Sequence, residues 1–168
     1  NRKGFNAFVL KYRVGQGGVI ATEDLAAAIA FVFDHADALR VSREGYSLWG
    51  SSAGARMVAT IGSHGVARPG GNAIPKPSTV VMAYTGHSDY GAHEPPTFVV
   101  VGEQDTIAPP SVMERRIAAL RRAGTTVEYR KYSGVGHGFG LGTGTSAQGW
   151  IAEATRFWEQ VIGRARKD

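Results

Sequence analysis

The stretch Tyr46-Ser47-Leu48-Trp49-Gly50-Ser51-Ser52-Ala53-Gly54-Ala55-Arg56 leaves the chain little freedom. Tyr46, Leu48 and Trp49 suit a buried strand, and the run that opens at Ala53 and continues to Ala59 suits a helix. Between them lies Gly50-x-Ser52-x-Gly54, the G-x-S-x-G pattern of a nucleophile elbow. The requirement is steric. A serine on so tight a strand-to-helix turn takes a strained backbone conformation, and bulky side chains two residues to either side would collide. Ser51 has Trp49 and Ala53 at those flanking positions, so Ser52 is the candidate nucleophile. The turn also sets the Ala53 N–H at a helix N-terminus, where unpaired backbone donors and the helix dipole favour a developing oxyanion.

The rest of the chain alternates between strand and helix patterns. Residues 5–12, with Phe5, Phe8, Val9, Leu10 and Tyr12, read as a mostly buried strand, after a helix end and turn suggested by Lys3 and Gly4. Residues 13–21 read as a glycine-bearing loop without the spacing of a phosphate cradle or a dinucleotide fingerprint. Thr22 then caps a helix to about Ala38, whose apolar face carries Leu25, Ile29, Val32, Phe33 and Ala36. After the elbow, a helix runs to about Gly62, and residues 65–78 read as a loop. Strands follow at 79–84 and 97–102, separated by a polar stretch that ends in Pro95-Pro96. A helix over 109–123 turns Met113, Ile117 and Leu120 inward, and Arg115, Arg116, Arg121 and Arg122 fall on its polar, solvated side. Residues 126–132 form a less buried strand. A glycine-rich loop over 134–144 leads to a last helix from about Ala147, with Trp150, Ala154, Phe157, Trp158 and Val161 in its stripe. This alternation predicts one α/β domain over residues 1–168, a parallel sheet of about five strands with helices on both faces.

Composition narrows the function. The 168 residues hold no apolar run long enough to span a membrane and no basic-then-apolar leader, and the opening residues read as the middle of a longer pattern. The net charge of +5 is scattered or sits on a helix face, so a nucleic-acid partner is not expected. Without cysteine there is no disulfide, thiol chemistry or thiolate metal site, and the compartment stays undecided.

In an open parallel sheet, functional residues gather at the carboxyl ends of the strands. The loop after Gly102 holds Glu103-Gln104-Asp105, and the loop after Tyr132 holds Gly136-His137-Gly138. A neutral imidazole can take a serine proton, and a carboxylate can hold its tautomer. Ser52, His137 and Asp105 are therefore read as nucleophile, general base and orienting acid, with Glu103 the rival acid. Tyr84, His87, Tyr90 and Phe139 are candidates to bind substrate at the cleft. His87, Asp89, His93 and Glu94 form a second polar cluster whose spacing fits no firm metal pattern, so neither a metal nor a cofactor is expected.

Lys11-Tyr12-Arg13-Val14, Leu48 through Gly54, Val101-Gly102-Glu103-Gln104-Asp105 and Gly136-His137-Gly138-Phe139 together resemble an α/β-hydrolase esterase. The resemblance is to the bacterial carboxylesterase or acetyl-xylan-esterase-like group, related to feruloyl esterases and the hormone-sensitive-lipase group. It implies a serine hydrolase acting on small-molecule carboxylic esters, with short acyl groups on sugars or aryl alcohols. A small serine peptidase and a catalytically impaired interaction module are the alternatives. The resemblance also implies three strands and a helix ahead of the Tyr-Arg strand, and a His-Gly-Gly loop completing the oxyanion hole. Nothing in this chain matches these, so the reading is of an N-terminally truncated fold in which Ala53 is the one assigned oxyanion donor. The uncovered edge of the elbow strand is expected to pair with residues 5–12 or to be covered by a second copy of the chain, with a homodimer favoured.

Overall fold

The computed structural model describes residues 4–67 and 73–165. Lys3, and residues 68–72 of the expected 65–78 loop, lie outside them.

The elbow strand and the apolar runs at 79–84 and 97–102 become the first three strands, β1 (Ser47–Ser51), β2 (Thr79–Ala83) and β3 (Thr97–Gly102), and the alternating 126–132 segment becomes β4 (Val127–Tyr132). All pair parallel in the order β1-β2-β3-β4. Every residue of β2 and β3 is buried, as a strand covered on both faces requires. Side chains alternate between two cores. Leu48, Val80, Met82, Val99 and Val101 meet Ile29 of α1 (Gly18–Asp34), Val58 and Ile61 of α3 (Ala53–His64), and Met113 and Ile117 of α4 (Pro110–Arg122). Val81, Ala83, Phe98 and Val100 face the other way, onto Trp150, Ala154 and Phe157 of α5 (Trp150–Ala165). Helices therefore cover both faces, as the alternation predicts. A four-residue helix, α2 (Ala36–Leu39), follows α1 and buries Ala36.

Three expectations are corrected. Residues 5–12 form no strand; the segment is irregular and mostly exposed, with Phe8 56% and Val9 97% accessible. An apolar extended segment becomes a strand only where a ladder takes up its N–H and C=O groups, and the sheet places no partner beside this one. It is instead held by Phe5 against Trp158 (ring centroids 4.3 Å apart) and by a fork of hydrogen bonds from Arg13 to Asp24. The described sheet accordingly has four strands rather than five, and β1 and residues 5–12 do not pair. Helix α1 begins at Gly18, four residues before the expected cap, and the Thr22 hydroxyl bonds back to the Gly18 carbonyl from inside the helix. Arg116 is not on a solvated face: it is 2% exposed, packed under the sheet's loops beside Glu94.

Candidate active site

The strand-to-helix turn after β1 holds Ser52 at φ 49°, ψ −115°, a conformation that costs an ordinary residue roughly 1–3 kcal/mol. Neighbours enforce it. The Ser52 N–H donates to the Ala83 carbonyl of β2 (2.9 Å), and a Cβ at Gly50 would lie 2.3 Å from the Gly54 carbonyl oxygen. The second flank differs from the sequence expectation. A Cβ at Gly54 would meet nothing within 4 Å outside its own helix, so the steric demand falls on Gly50 alone. Ser52 is the N-cap of α3, a place where serine hydroxyls commonly accept a helix N–H, yet it makes no capping bond. Its Oγ lies instead 3.0 Å from His137 Nε2.

His137 comes from the loop after β4, and Asp105 from the loop after β3. These loops can close on each other because residue 102 is glycine: a Cβ there would sit 2.3 Å from the Val135 carbonyl oxygen. The Gln104 N–H donates to that same carbonyl (2.9 Å). Asp105 Oδ2 accepts from His137 Nδ1 at 2.8 Å, and its Oδ1 accepts the backbone N–H groups of Ile107 (2.9 Å) and Ala108 (2.7 Å). The Asp105 side chain is fully buried and that of His137 is 18% exposed. With Nδ1–H given to the carboxylate, Nε2 is left as the acceptor facing the Ser52 hydroxyl. Glu103, the rival acid, is exposed, with its N–H in a bond to the Tyr132 carbonyl. Tyr84, at the end of β2, stands edge-on to the His137 ring at 5.2 Å and has a positive φ of 39°. Ala53 opens α3, so its N–H has no acceptor within the helix.

Ser52 and His137 open into a cleft of about 550 Å³. One wall is the Ser52–Arg56–Thr60 line on α3; the other is the loop after β2, with Tyr84, His87 and Asp89, and the Ile107–Ala108 turn. Of the four residues expected to bind substrate, Tyr84 and His87 line the cleft. Tyr90 and Phe139 are not among its lining residues: Tyr90 is 49% exposed, and Phe139 packs against Tyr84, Tyr132 and Trp150. Burial, with the nearby charges of Arg116 and Arg56, lowers the His87 pKa and favours its neutral form. Arg56, Thr60, Ile107 and Ala108 were not singled out as site residues from sequence, although the four-residue spacing of 52, 56 and 60 puts them on one helix face.

The second polar cluster divides: His87 and Asp89 line the cleft, and Glu94 is tied into the fold. Glu94 Oε2 pairs with Arg116 (3.1 Å), while its Oε1 accepts from the Ser63 hydroxyl and the Gly91 N–H. Arg116 Nε donates to the Asp89 carbonyl, and Lys76 Nζ donates to the carbonyls of Ser63 and His93. Both Glu94 oxygens are thus engaged within the chain. The network anchors the loop over 85–95 that walls the cleft.

The architecture is shared with known structures at low sequence identity. An α/β hydrolase from a Medee basin deep-sea metagenome library superposes with a TM-score of 0.80 at 23% identity, over 96% of this chain and 74% of that one. The Thermogutta terrifontis esterase Est2 gives 0.75 at 20% identity, over 90% and 69%. The carboxylesterase Cest-2923 of Lactobacillus plantarum WCFS1 gives 0.71 at 19%, over 88% and 70%. A search of curated protein sequences finds no match. The sequence pattern of the prolyl oligopeptidase family matches residues 73–165, more than half of the chain and the part that carries Asp105 and His137. The chain thus has the α/β-hydrolase fold and, by that match, belongs to the prolyl oligopeptidase family.

Proposed function

We propose that the chain is a serine esterase that cleaves small carboxylic esters through an acyl-enzyme. The observation that carries this reading is the unbroken hydrogen-bond chain Asp105–His137–Ser52, which ends in the cleft. Ser52 Oγ attacks the ester carbonyl carbon as its proton passes to His137 Nε2, and Asp105 stabilises the imidazolium that forms. The carbonyl oxygen becomes an oxyanion held by the Ala53 N–H at the positive end of α3. The tetrahedral species collapses, the C–O bond to the alcohol breaks, and His137 returns the proton to the leaving oxygen. Water then repeats the sequence on the acyl-Ser52 ester and releases the carboxylic acid. Ala53 is one donor where an oxyanion hole commonly has two, and a missing donor lowers the rate by roughly 10²–10³-fold. The exposed Ile107 and the modest cleft suit short acyl or aryl groups, and the esterase names of two of the structural relatives favour an ester as substrate.

Hydrolysis of p-nitrophenyl acetate, butyrate and longer esters, with Ser52→Ala as control, tests the assignment. A fluorophosphonate probe should label Ser52 and leave Ser51 unlabelled; labelling lost in Ser51→Ala but kept in Ser52→Ala would refute it. The prolyl oligopeptidase match favours a second reading, a small peptidase, and proline-containing peptide anilides cleaved faster than the esters would establish that instead. No labelling and no turnover of either substrate class would leave the fold as an interaction module. The reading also includes a homodimer. β1 is an edge strand of the described sheet, and Phe8, Val9 and Val14 lie exposed, which suits pairing with a second copy. A monomer by light scattering at full esterase activity would remove that part.

A further inference from the structure

Arg56 is the feature of the cleft that neither the serine chemistry nor the fold accounts for. It lies one helical turn beyond Ser52, its N–H bonded to the Ser52 carbonyl (3.3 Å), and it lines the same cleft. In an α-helix each Cα–Cβ bond leans toward the N-terminus, so a side chain at this position rises back over the preceding turn, toward Ser52. A cation near the positive end of a helix is unfavourable, and the first turn of α3 carries no acidic residue to offset it. Among the described residues the exposed Arg56 guanidinium has no ion pair and no hydrogen bond; Arg40 and Arg122 are likewise exposed without a side-chain partner, but Arg56 is the arginine that lines the cleft. Its charge reaches the opposite wall, where it acts on His87. The one carboxylate in the lining, Asp89, is exposed and accepts the Tyr90 N–H; the other nearby acid, Glu94, is committed to Arg116.

We infer that Arg56 is a specificity-determining residue that selects esters bearing a carboxylate, binding that group at the α3 wall of the cleft while Ser52 attacks the ester carbonyl. The inference rests on the esterase reading above and names the substrate class of that site. An arginine fork suits a carboxylate because two parallel N–H donors meet two oxygens. Thr60, one turn further along the same wall, gives its hydroxyl proton to the Arg56 carbonyl (2.9 Å), which leaves the guanidinium as the side-chain donor of this helix wall. The carboxylate could belong to the acyl part, as in a dicarboxylic acid monoester, or to the alcohol part, as in an acylated hydroxybenzoate; the chemistry at Arg56 is the same.

Two matched pairs distinguish these sources: mono-p-nitrophenyl adipate against p-nitrophenyl hexanoate, and para-acetoxybenzoate against its methyl ester. The quantity read is the ratio of kcat/KM for the anionic over the neutral member of each pair. The wild-type ratio is expected above unity in one pair, and Arg56→Met is expected to lower it about 10–100-fold, the range of a charge-assisted hydrogen bond. Arg56→Lys should keep part of the preference, Asp89→Asn should raise it, and added salt should weaken it in the wild-type protein. The salt and lysine measurements hold the test if the methionine variant does not fold. Equilibrium binding of the same pairs to Ser52→Ala reads the preference without turnover, so failure of the esterase reading and failure of the Arg56 assignment remain separable. Equal use and equal binding of both members of both pairs, or a ratio unchanged in Arg56→Met, overturns the inference.

Discussion

Replacing Asp105 by asparagine isolates the contribution of one oxygen atom. The carboxylate is fixed by three bonds: Oδ1 accepts the Ile107 and Ala108 N–H groups, and Oδ2 accepts His137 Nδ1–H. An asparagine of the same shape has one acceptor and one donor to distribute. Two backbone donors hold the acceptor side, and turning the amide over would set its NH2 against both of them. The NH2 therefore takes the Oδ2 position and donates to Nδ1, which moves the imidazole proton to Nε2, opposite the Ser52 hydroxyl. The base is lost while the geometry is kept. The loss expected from such a wrong-tautomer triad is about 10⁴-fold in kcat, or ~5 kcal/mol of transition-state stabilisation. Because packing and the two backbone bonds persist, unfolding free energy should change by no more than about 1 kcal/mol. Steady-state p-nitrophenyl acetate hydrolysis and urea denaturation measure the two quantities on one preparation. Activity within about tenfold of wild type, or a Glu103→Gln variant that is the more damaged, would refute the reasoning.

Gly50→Ala should abolish fluorophosphonate labelling of Ser52, because its Cβ would lie 2.3 Å from the Gly54 carbonyl oxygen; an alanine variant labelled at wild-type rate would contradict this. Arg116→Met should lower stability by about 3–5 kcal/mol in denaturant melts, because it leaves the Glu94 carboxylate buried and unpaired. The double variant Arg116→Met, Glu94→Gln should recover part of that loss. Tyr132→Phe should raise stability by about 1 kcal/mol or more, since the buried Tyr132 hydroxyl makes no hydrogen bond among the described residues; a lower melting midpoint would argue for a partner.

How much of the fold could be read in advance follows from how much each segment depends on distant partners. β2 and β3 are unbroken apolar runs bounded by prolines and glycines, and they became fully buried strands. Residues 5–12 are just as apolar, but strand formation is a property of two segments, and this one has no neighbour in the sheet. The start of α1 was hidden by glycines, which sequence reasoning assigns to loops. Gly17, at φ 87°, makes the turn, and Gly18 is already helical. Arg116 carried a legible signal that its charge obscured. Positions 113, 116, 117 and 120 form one face of a helix, so an arginine there is either an error of register or half of a buried pair. The other half, Glu94, lies on a loop with no periodicity to announce it.

The site was legible where chemistry and topology coincide. Ser52, Asp105 and His137 each follow a strand of the parallel sheet, and the structure brings their side chains into one hydrogen-bonded line. The choice between Asp105 and Glu103 was not legible in residue type, because both are acids in one short loop. In the structure the two differ in direction. Glu103 stays on the line of β3, with its N–H continuing the ladder to Tyr132 and its side chain outside, whereas the Asp105 N–H closes a turn on the Gly102 carbonyl. That turn faces Asp105 inward, where the Ile107 and Ala108 N–H groups receive its carboxylate. The approach of the histidine loop depends in turn on the absence of a side chain at residue 102. A glycine ending an apolar strand thus has a role comparable to that of Gly50 in the elbow: each removes one Cβ so that a loop can close on a strand end, one beneath Ser52 and the other beneath His137.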